Sequence, residues 1–112
     1  MANKLKPSMT ENELLQEVKK LAKLFGWRLA HFRPAMTSKG WRTAIEGDIG
    51  FPDLVLARKN PPRVLFCELK SSTGKLTPEQ AEWIETLAEC SDIEVYVITP
   101  EELEDLAKIL TM

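Results

Sequence analysis

The 112 residues predict an α/β fold: a four-stranded mixed sheet flanked by helices, in the order αβββαβα. Helix-start signals stand at Thr10, Thr77 and Thr99, each followed by a stretch with apolar residues three to four apart. Between them lie four short runs of strand character, one at Trp27–Phe32, two within Phe51–Lys70 and one at Ile93–Ile98. Helices alternating with strands make an α/β layer structure rather than a bundle or an all-β sandwich. The length suits one domain with a single modest core, residues 10–112, behind a loose polar tail at residues 1–9. There is no internal repeat, low-complexity segment or second-domain boundary.

In the first helix Thr10 is the N-cap, and Glu13 three residues on completes a capping box. The helix runs to about Phe25, where Gly26 ends it, with Leu14, Val18, Leu21, Ala22 and Phe25 as its apolar stripe. Glu11 shares the stripe of Leu14, Val18 and Phe25, while Glu13 and Glu17 fall to its side. An acid in a first turn is often only a complement to the helix dipole. One aligned with the core stripe is better placed to reach over the sheet.

Trp27–Phe32 is the first strand, with Trp27, Leu29 and His31 alternating against Arg28, Ala30 and Phe32. Pro34–Gly50 reads as a 17-residue loop, long for a domain of this size. Two motif strands follow, separated by the turn Arg58–Arg63 that holds Pro61-Pro62. Ser71–Leu76 is a polar loop. Thr77-Pro78-Glu79-Gln80 starts the second helix, with Thr as N-cap, Pro at the first position and Gln at the third. Ala81, Ile84, Leu87 and Ala88 point inward, with Trp83 near that face. Ile93–Ile98 is the fourth strand, and a last helix opens at Thr99-Pro100 and runs to about Leu110.

The two motif strands should be apolar throughout if buried, yet they carry Asp53, Glu68 and Lys70. Alternation puts Glu68 and Lys70 on one face and Leu69 on the other. Paired as a hairpin, the strands bring Asp53 near Glu68. Two carboxylates with an ammonium beside them repel as ions unless a cation sits between them. Oxygen ligands from few residues favour a hard divalent ion, Mg²⁺ or Mn²⁺. The plain alternative is that Asp53 caps a turn and Glu68–Lys70 is an exposed ion pair worth little. Against it, Val64–Cys67 is a continuous apolar run, the mark of a central strand, where charges are costly without a purpose.

Pro-Asp, fourteen intervening residues, then Glu-x-Lys resembles the active-site motif of the PD-(D/E)XK nucleases. Gly50-Phe51-Pro52-Asp53-Leu54, Phe66-Cys67-Glu68-Leu69-Lys70 and Gly74-Lys75-Leu76-Thr77-Pro78-Glu79-Gln80 resemble the VRR-NUC branch, of the stand-alone single-domain type. The resemblance covers about Thr10 to the C-terminus. It implies a restriction-endonuclease-like core and a metal-dependent, structure-selective DNA endonuclease that leaves a 5′-phosphate and a 3′-hydroxyl. Asp53 and Glu68 are then expected to hold one or two Mg²⁺ or Mn²⁺ ions, with the Leu69 carbonyl a further ligand and Glu11 joining directly or through water. Glu13 and Glu17 are the reserves for Glu11. Lys70 is expected to orient the attacking water; acting as base would need a depressed pKa, which a neighbouring carboxylate opposes. Gln80 supports the site from the second helix, or is simply the capping-box residue, or both.

The remaining candidates concern the substrate. His31 or Arg33 stands where a strand leads towards the site, although a lone histidine is more often structural. Lys39, Arg42 and Lys75 are candidate phosphate contacts, and Trp41 stacks on a base or packs beneath its loop. Related single-domain nucleases include Holliday-junction-cleaving homodimers, which makes branched DNA the expected partner. The rivals are a flap, nick or end-processing nuclease, and a non-catalytic nucleic-acid-binding module.

Net charge is −2, but residues 1–50 carry nine basic against five acidic residues and residues 51–112 six against twelve. A polyanion is therefore expected on the first half, with the acidic helices facing away. No apolar run approaches a membrane span, and the first residues have no secretory h-region. Cys67 and Cys90 read as free thiols of a reducing compartment, with no zinc-ligand spacing. Compact size suits a phage or mobile-element protein in a bacterial cytoplasm.

Overall fold

The computed structural model describes residues 9–32, 35–42 and 46–112, with the backbone alone at 35–37, 41 and 42. Residues 1–8 of the expected tail, and Arg33, lie outside the described residues. The elements are α1 (Glu11–Leu24), β1 (Arg28–His31), β2 (Ala35–Thr37), β3 (Gly40–Arg42), β4 (Leu54–Lys59), β5 (Pro62–Leu69), α2 (Pro78–Ala88), β6 (Glu94–Ile98) and α3 (Leu103–Thr111), the last preceded by a 3₁₀ turn at Pro100–Glu102. The main sheet has the order β1-β4-β5-β6. The first two pairings are antiparallel and the third is parallel, so the sheet is mixed as expected.

Alternation along the strands decides which layer each side chain joins. Leu54 and Leu56 of β4, Leu65, Cys67 and Leu69 of β5 and Ile98 of β6 are buried with Leu14, Leu15, Val18 and Ala22 of α1 and Leu106 and Leu110 of α3. Thus α1 and α3 cover one face. On the other, Phe66 meets Phe51, and Phe51 meets Trp83 of α2. Helix α1 starts where expected: Thr10 Oγ1 accepts from the Glu13 N–H and Glu13 accepts from the Thr10 N–H. No helix among the described residues is long and apolar enough to cross a membrane.

Three details differ from the sequence reading. The loop Pro34–Gly50 contains an antiparallel hairpin, β2–β3, whose tight turn returns through Gly40 at φ +100°. The turn Arg58–Arg63 is shorter than expected: Arg58 and Arg63 pair in the ladder, Lys59 pairs with Pro62, and only Asn60-Pro61 is left to turn. Pro62 is tolerated because it is the first residue of its strand. Ala88 is exposed, not inward; of the inward stripe of α2 only Leu87 is fully buried.

At the hairpin end of the sheet, Trp27 donates its indole N–H to the Leu110 carbonyl at 2.9 Å. The Arg58 and Arg63 guanidiniums lie over its ring, 4.7 and 5.1 Å from the centroid. Arg58 donates to the carbonyls of Leu110 and Met112, and Arg63 to that of Ile109 and, through two bonds, to Glu94. Carbonyls that the end of α3 leaves without helical partners are satisfied here. This corner fixes α3 at the end of the sheet opposite Asp53 and Glu68.

Candidate active site

The site follows from register. Leu54 faces Cys67 across β4–β5, so the next row outward sets Asp53 beside Glu68. The row continues on both sides: the Phe32 N–H donates to the Asp53 carbonyl at 3.0 Å, and Glu68 pairs with Val97 of β6. One Asp53 carboxylate oxygen accepts from the Leu69 N–H at 2.9 Å, which orients the acid against the strand that carries Glu68.

Glu68 is 2% exposed, the one buried charged residue among those described. Its Oε2 lies 3.7 Å from Lys70 Nζ, while its Oε1 is buried with no hydrogen-bond partner among the described residues. Burial, and next the charge of Asp53, push the Glu68 carboxyl up to about 8; Lys70 opposes this without overcoming it. With two acids facing each other and one ammonium beside them, the environment is short of positive charge.

Of the three first-helix acids, Glu11 is the one whose field reaches Glu68. Glu13 is committed to its capping box and Glu17 to Lys20 at 3.1 Å. Among the described residues no three His, Cys, Asp or Glu side chains converge to hold an ion unaided. Asp53 and Glu68 form a pair, with Glu11, exposed at the helix start, further out.

Helix α2 is brought to the site by Gly50. This residue has φ +95°, and a Cβ there would lie 2.6 Å from the Glu79 carbonyl carbon and 2.8 Å from the Gln80 nitrogen. Only glycine lets the segment leading to Asp53 press against the first turn of α2. Gln80 is half-buried, and its Oε1 accepts from the Thr77 N–H at 3.0 Å while the Thr77 hydroxyl accepts from the Gln80 N–H at 3.1 Å. The capping box thus orients the Gln80 amide, leaving its nitrogen outside the box. Thr77→Ala is expected to destabilise the protein by about 1 kcal/mol and, by loosening Gln80, to slow any reaction at the site more than that loss of stability explains; thermal melting and kinetics on one preparation check this.

The other candidates are placed less centrally. His31 is half-buried and pairs with Leu54, one row from Asp53 and, by alternation, on the opposite face. Lys39 is exposed in the β2–β3 turn and Lys75 in the loop before α2. Trp41 and Arg42 belong to β3 by their backbone, and Arg33 lies outside the described residues.

Sequence reasoning missed the aromatic support of the site. Phe51 sits edge-on to Phe32, Phe66 and Trp83, at centroid distances of 5.5, 5.8 and 4.9 Å. Trp83 also donates to the Asp48 carbonyl at 3.1 Å. Phe66 and Trp83 at alternating and helical positions were the available signal. A groove of about 500 Å³ beside this cluster is lined by Asp48, Ile49, Glu79, Glu82, Trp83 and Thr86.

A family profile described as the VRR-NUC domain matches residues 8–101. A solved structure described as a VRR_NUC domain has the same fold, with a TM-score of 0.67 and 18% identity over 88% of this chain and 94% of that one. The comparison with curated proteins found no match.

Proposed function

Because the chain belongs to the VRR-NUC domain family and has its nuclease-type fold, we propose that it is a metal-dependent, structure-selective DNA endonuclease. The observation that carries this is the buried Glu68 carboxyl beside Asp53: its Oε1 has no hydrogen-bond partner among the described residues, and its Oε2 lies 3.7 Å from Lys70 Nζ. The donor set fits Mg²⁺ or Mn²⁺, which need only one or two carboxylates when backbone, water and substrate oxygens complete the shell. Asp53 and Glu68 would hold the ion, with the Leu69 carbonyl adjoining and Glu11 acting through water. When bound, the ion supplies positive charge against the scissile phosphate and makes water a better nucleophile.

The chain's own groups do the rest. Lys70 shares the face of Glu68 and is mostly buried, so its ammonium can donate to the attacking water or to a phosphate oxygen with little competition from solvent. Glu68 keeps that ammonium in place. The Leu69 N–H holds Asp53 in one orientation before substrate arrives. The Gln80 amide nitrogen supplies a neutral donor from the α2 side.

Charge directs the substrate. A phosphate in the groove along α2 would meet Asp48, Glu79 and Glu82, so the DNA path runs over the β1 side and the β2–β3 hairpin, where Lys39 lies. So small a surface reads shape more readily than base sequence. Two copies related by a twofold axis would present two sites to a symmetric branched substrate such as a four-way junction.

Cleavage of a four-way junction against matched linear, nicked and flap duplexes tests this, with Mg²⁺, Mn²⁺ or EDTA, for wild type and Lys70→Ala. The expected result is metal-dependent cutting at the junction, slowed about a hundredfold or more in the variant. Equal cutting of every duplex would keep the endonuclease and end the structure-selectivity. No cutting by the wild type with either metal would leave a binding module.

A further inference from the structure

Resting on that reading, we propose that Phe32 is a substrate-stacking residue, which holds one unstacked nucleobase beside the scissile phosphate. Phe32 is the register neighbour of Asp53: its N–H donates to the Asp53 carbonyl at 3.0 Å, in the row that continues to Glu68. Alternation turns it away from the Leu54 face and onto the side of Asp53.

The ring is both exposed and braced. Among the described residues the exposed large apolar side chains are Leu24, Phe32, Ile49 and Met112. Leu24 and Met112 end α1 and the chain, whereas Phe32 and Ile49 flank the segment that delivers Asp53. Phe32 is 37% exposed. Its contact with Phe51 is T-shaped, at 5.5 Å and 76°, and Phe51 is fixed in turn by Phe66 and Trp83. Among the described residues the ring therefore has a set orientation without being sandwiched, the condition a stacking platform requires.

The substrate's chemistry selects the occupant. Of the parts of a nucleic acid, sugar and phosphate are polar, and a base within duplex has both faces covered by its neighbours. A base at a branch point or in a single strand has a free face, and stacking it on an aromatic side chain strengthens binding about five- to a hundredfold. Phe32 thus links the catalytic row to a preference for nucleotides out of the stack, with no reading of base identity.

The probe is a four-way junction in which each branch-point nucleotide is made abasic in turn, which removes the base and keeps its phosphates. Binding is measured by fluorescence anisotropy with Ca²⁺, and cleavage with Mg²⁺, for wild type, Phe32→Leu, Phe32→Trp and the distant control Leu24→Ala. Leucine keeps apolar bulk against Phe51 but has no aromatic face, so it separates stacking from folding, and circular dichroism confirms its fold. For wild type, Phe32→Trp and Leu24→Ala, one abasic position is expected to weaken binding about five- to a hundredfold. Phe32→Leu should bind intact and abasic junctions alike. Equal discrimination by Phe32→Leu and wild type, or none by wild type, overturns the proposal. Cleavage is scored separately: a wild type that discriminates in binding but cuts nothing ends the endonuclease reading and leaves the stacking role standing.

Discussion

Glu68→Gln is expected to reduce metal-dependent cleavage by about a thousandfold or more and, in the metal-free protein at pH 8, to raise the melting temperature by several degrees. The two effects have one cause. Glu68 is buried, and one of its oxygens has no partner among the described residues. Burial and then Asp53 push its carboxyl up to about 8, from 4.5 in an unstrained setting. A carboxyl raised by folding binds its proton more tightly in the native state. Its stabilising contribution is fully present below about pH 4.5 and is lost as pH rises through about 8. At about 1.4 kcal/mol per pKa unit, the loss across that window is on the order of a few kcal/mol. That corresponds to several degrees of melting temperature or more in a domain of about 100 residues.

Glutamine keeps the shape and removes the titration, so the variant's melting temperature should change less between pH 5 and 8 than that of the wild type. If the site holds Mg²⁺ or Mn²⁺ as proposed, the ion should raise the wild-type melting temperature at pH 8 more than at pH 5, because the ionised carboxyl is the ligand, and should leave Glu68→Gln nearly unmoved. A structural ion pair would behave in the opposite way: removing Glu68 would strand Lys70 and destabilise the protein at every pH where both are charged. A wild type insensitive to pH and metal, with a destabilised glutamine variant, would sink the metal-site reading.

The residues proposed to carry chemistry were legible because their types contradict their surroundings. Asp53, Glu68 and Lys70 interrupt apolar strands, and pairing those strands as a hairpin was enough to predict that Asp53 lies near Glu68; the ladder reaches the adjoining row, Leu54 with Cys67, and the charge of Asp53 acts on Glu68. Caps were legible for a related reason. Thr10 with Glu13 and Thr77 with Gln80 are local, three-residue signals that tertiary context does not override. The first-helix acid needed the fold: spacing favoured Glu11, but only the structure shows Glu13 and Glu17 occupied elsewhere.

What stayed hidden depends on contacts between distant segments. Gly50 was visible as part of a motif, but nothing in the chain announces that the backbone of Glu79 and Gln80 presses on it. The β2–β3 hairpin was read as loop because its three-residue strands are too short to show a period. Ala88 was assigned inward by helical spacing. Spacing identifies a stripe, not how far the partner layer extends beneath it, and the last turn of α2 leaves Ala88 in solvent.

Gly50→Ala is expected to be far more damaging than Gly47→Ala, although both glycines have nearly the same backbone conformation, φ +95° and +97°. The left-handed region costs alanine about 1–3 kcal/mol in either place. At Gly47 nothing among the described residues lies within 4 Å of the added Cβ, so that strain is the whole effect. At Gly50 the Cβ would stand 2.6 Å from the Glu79 carbonyl carbon, 2.8 Å from its oxygen and 2.8 Å from the Gln80 nitrogen. These are backbone atoms of a capped helix and cannot rotate aside as a flexible side chain would. Overpacking of this kind adds about 1–3 kcal/mol. The difference between the variants, read by denaturant unfolding, isolates the steric part. The displacement has two directions, and activity distinguishes them from simple instability. If α2 is pushed back, Gln80 leaves the site; if the loop moves, Phe51 and Asp53 shift with it. Either way, cleavage should fall about tenfold or more at a temperature where both variants are folded, while Gly47→Ala cleaves like the wild type. Equal destabilisation and equal activity in the two variants would mean that the approach of Gly50 to α2 is slack. The geometry of Asp53 would then rest on its bonds from the Leu69 and Phe32 N–H groups.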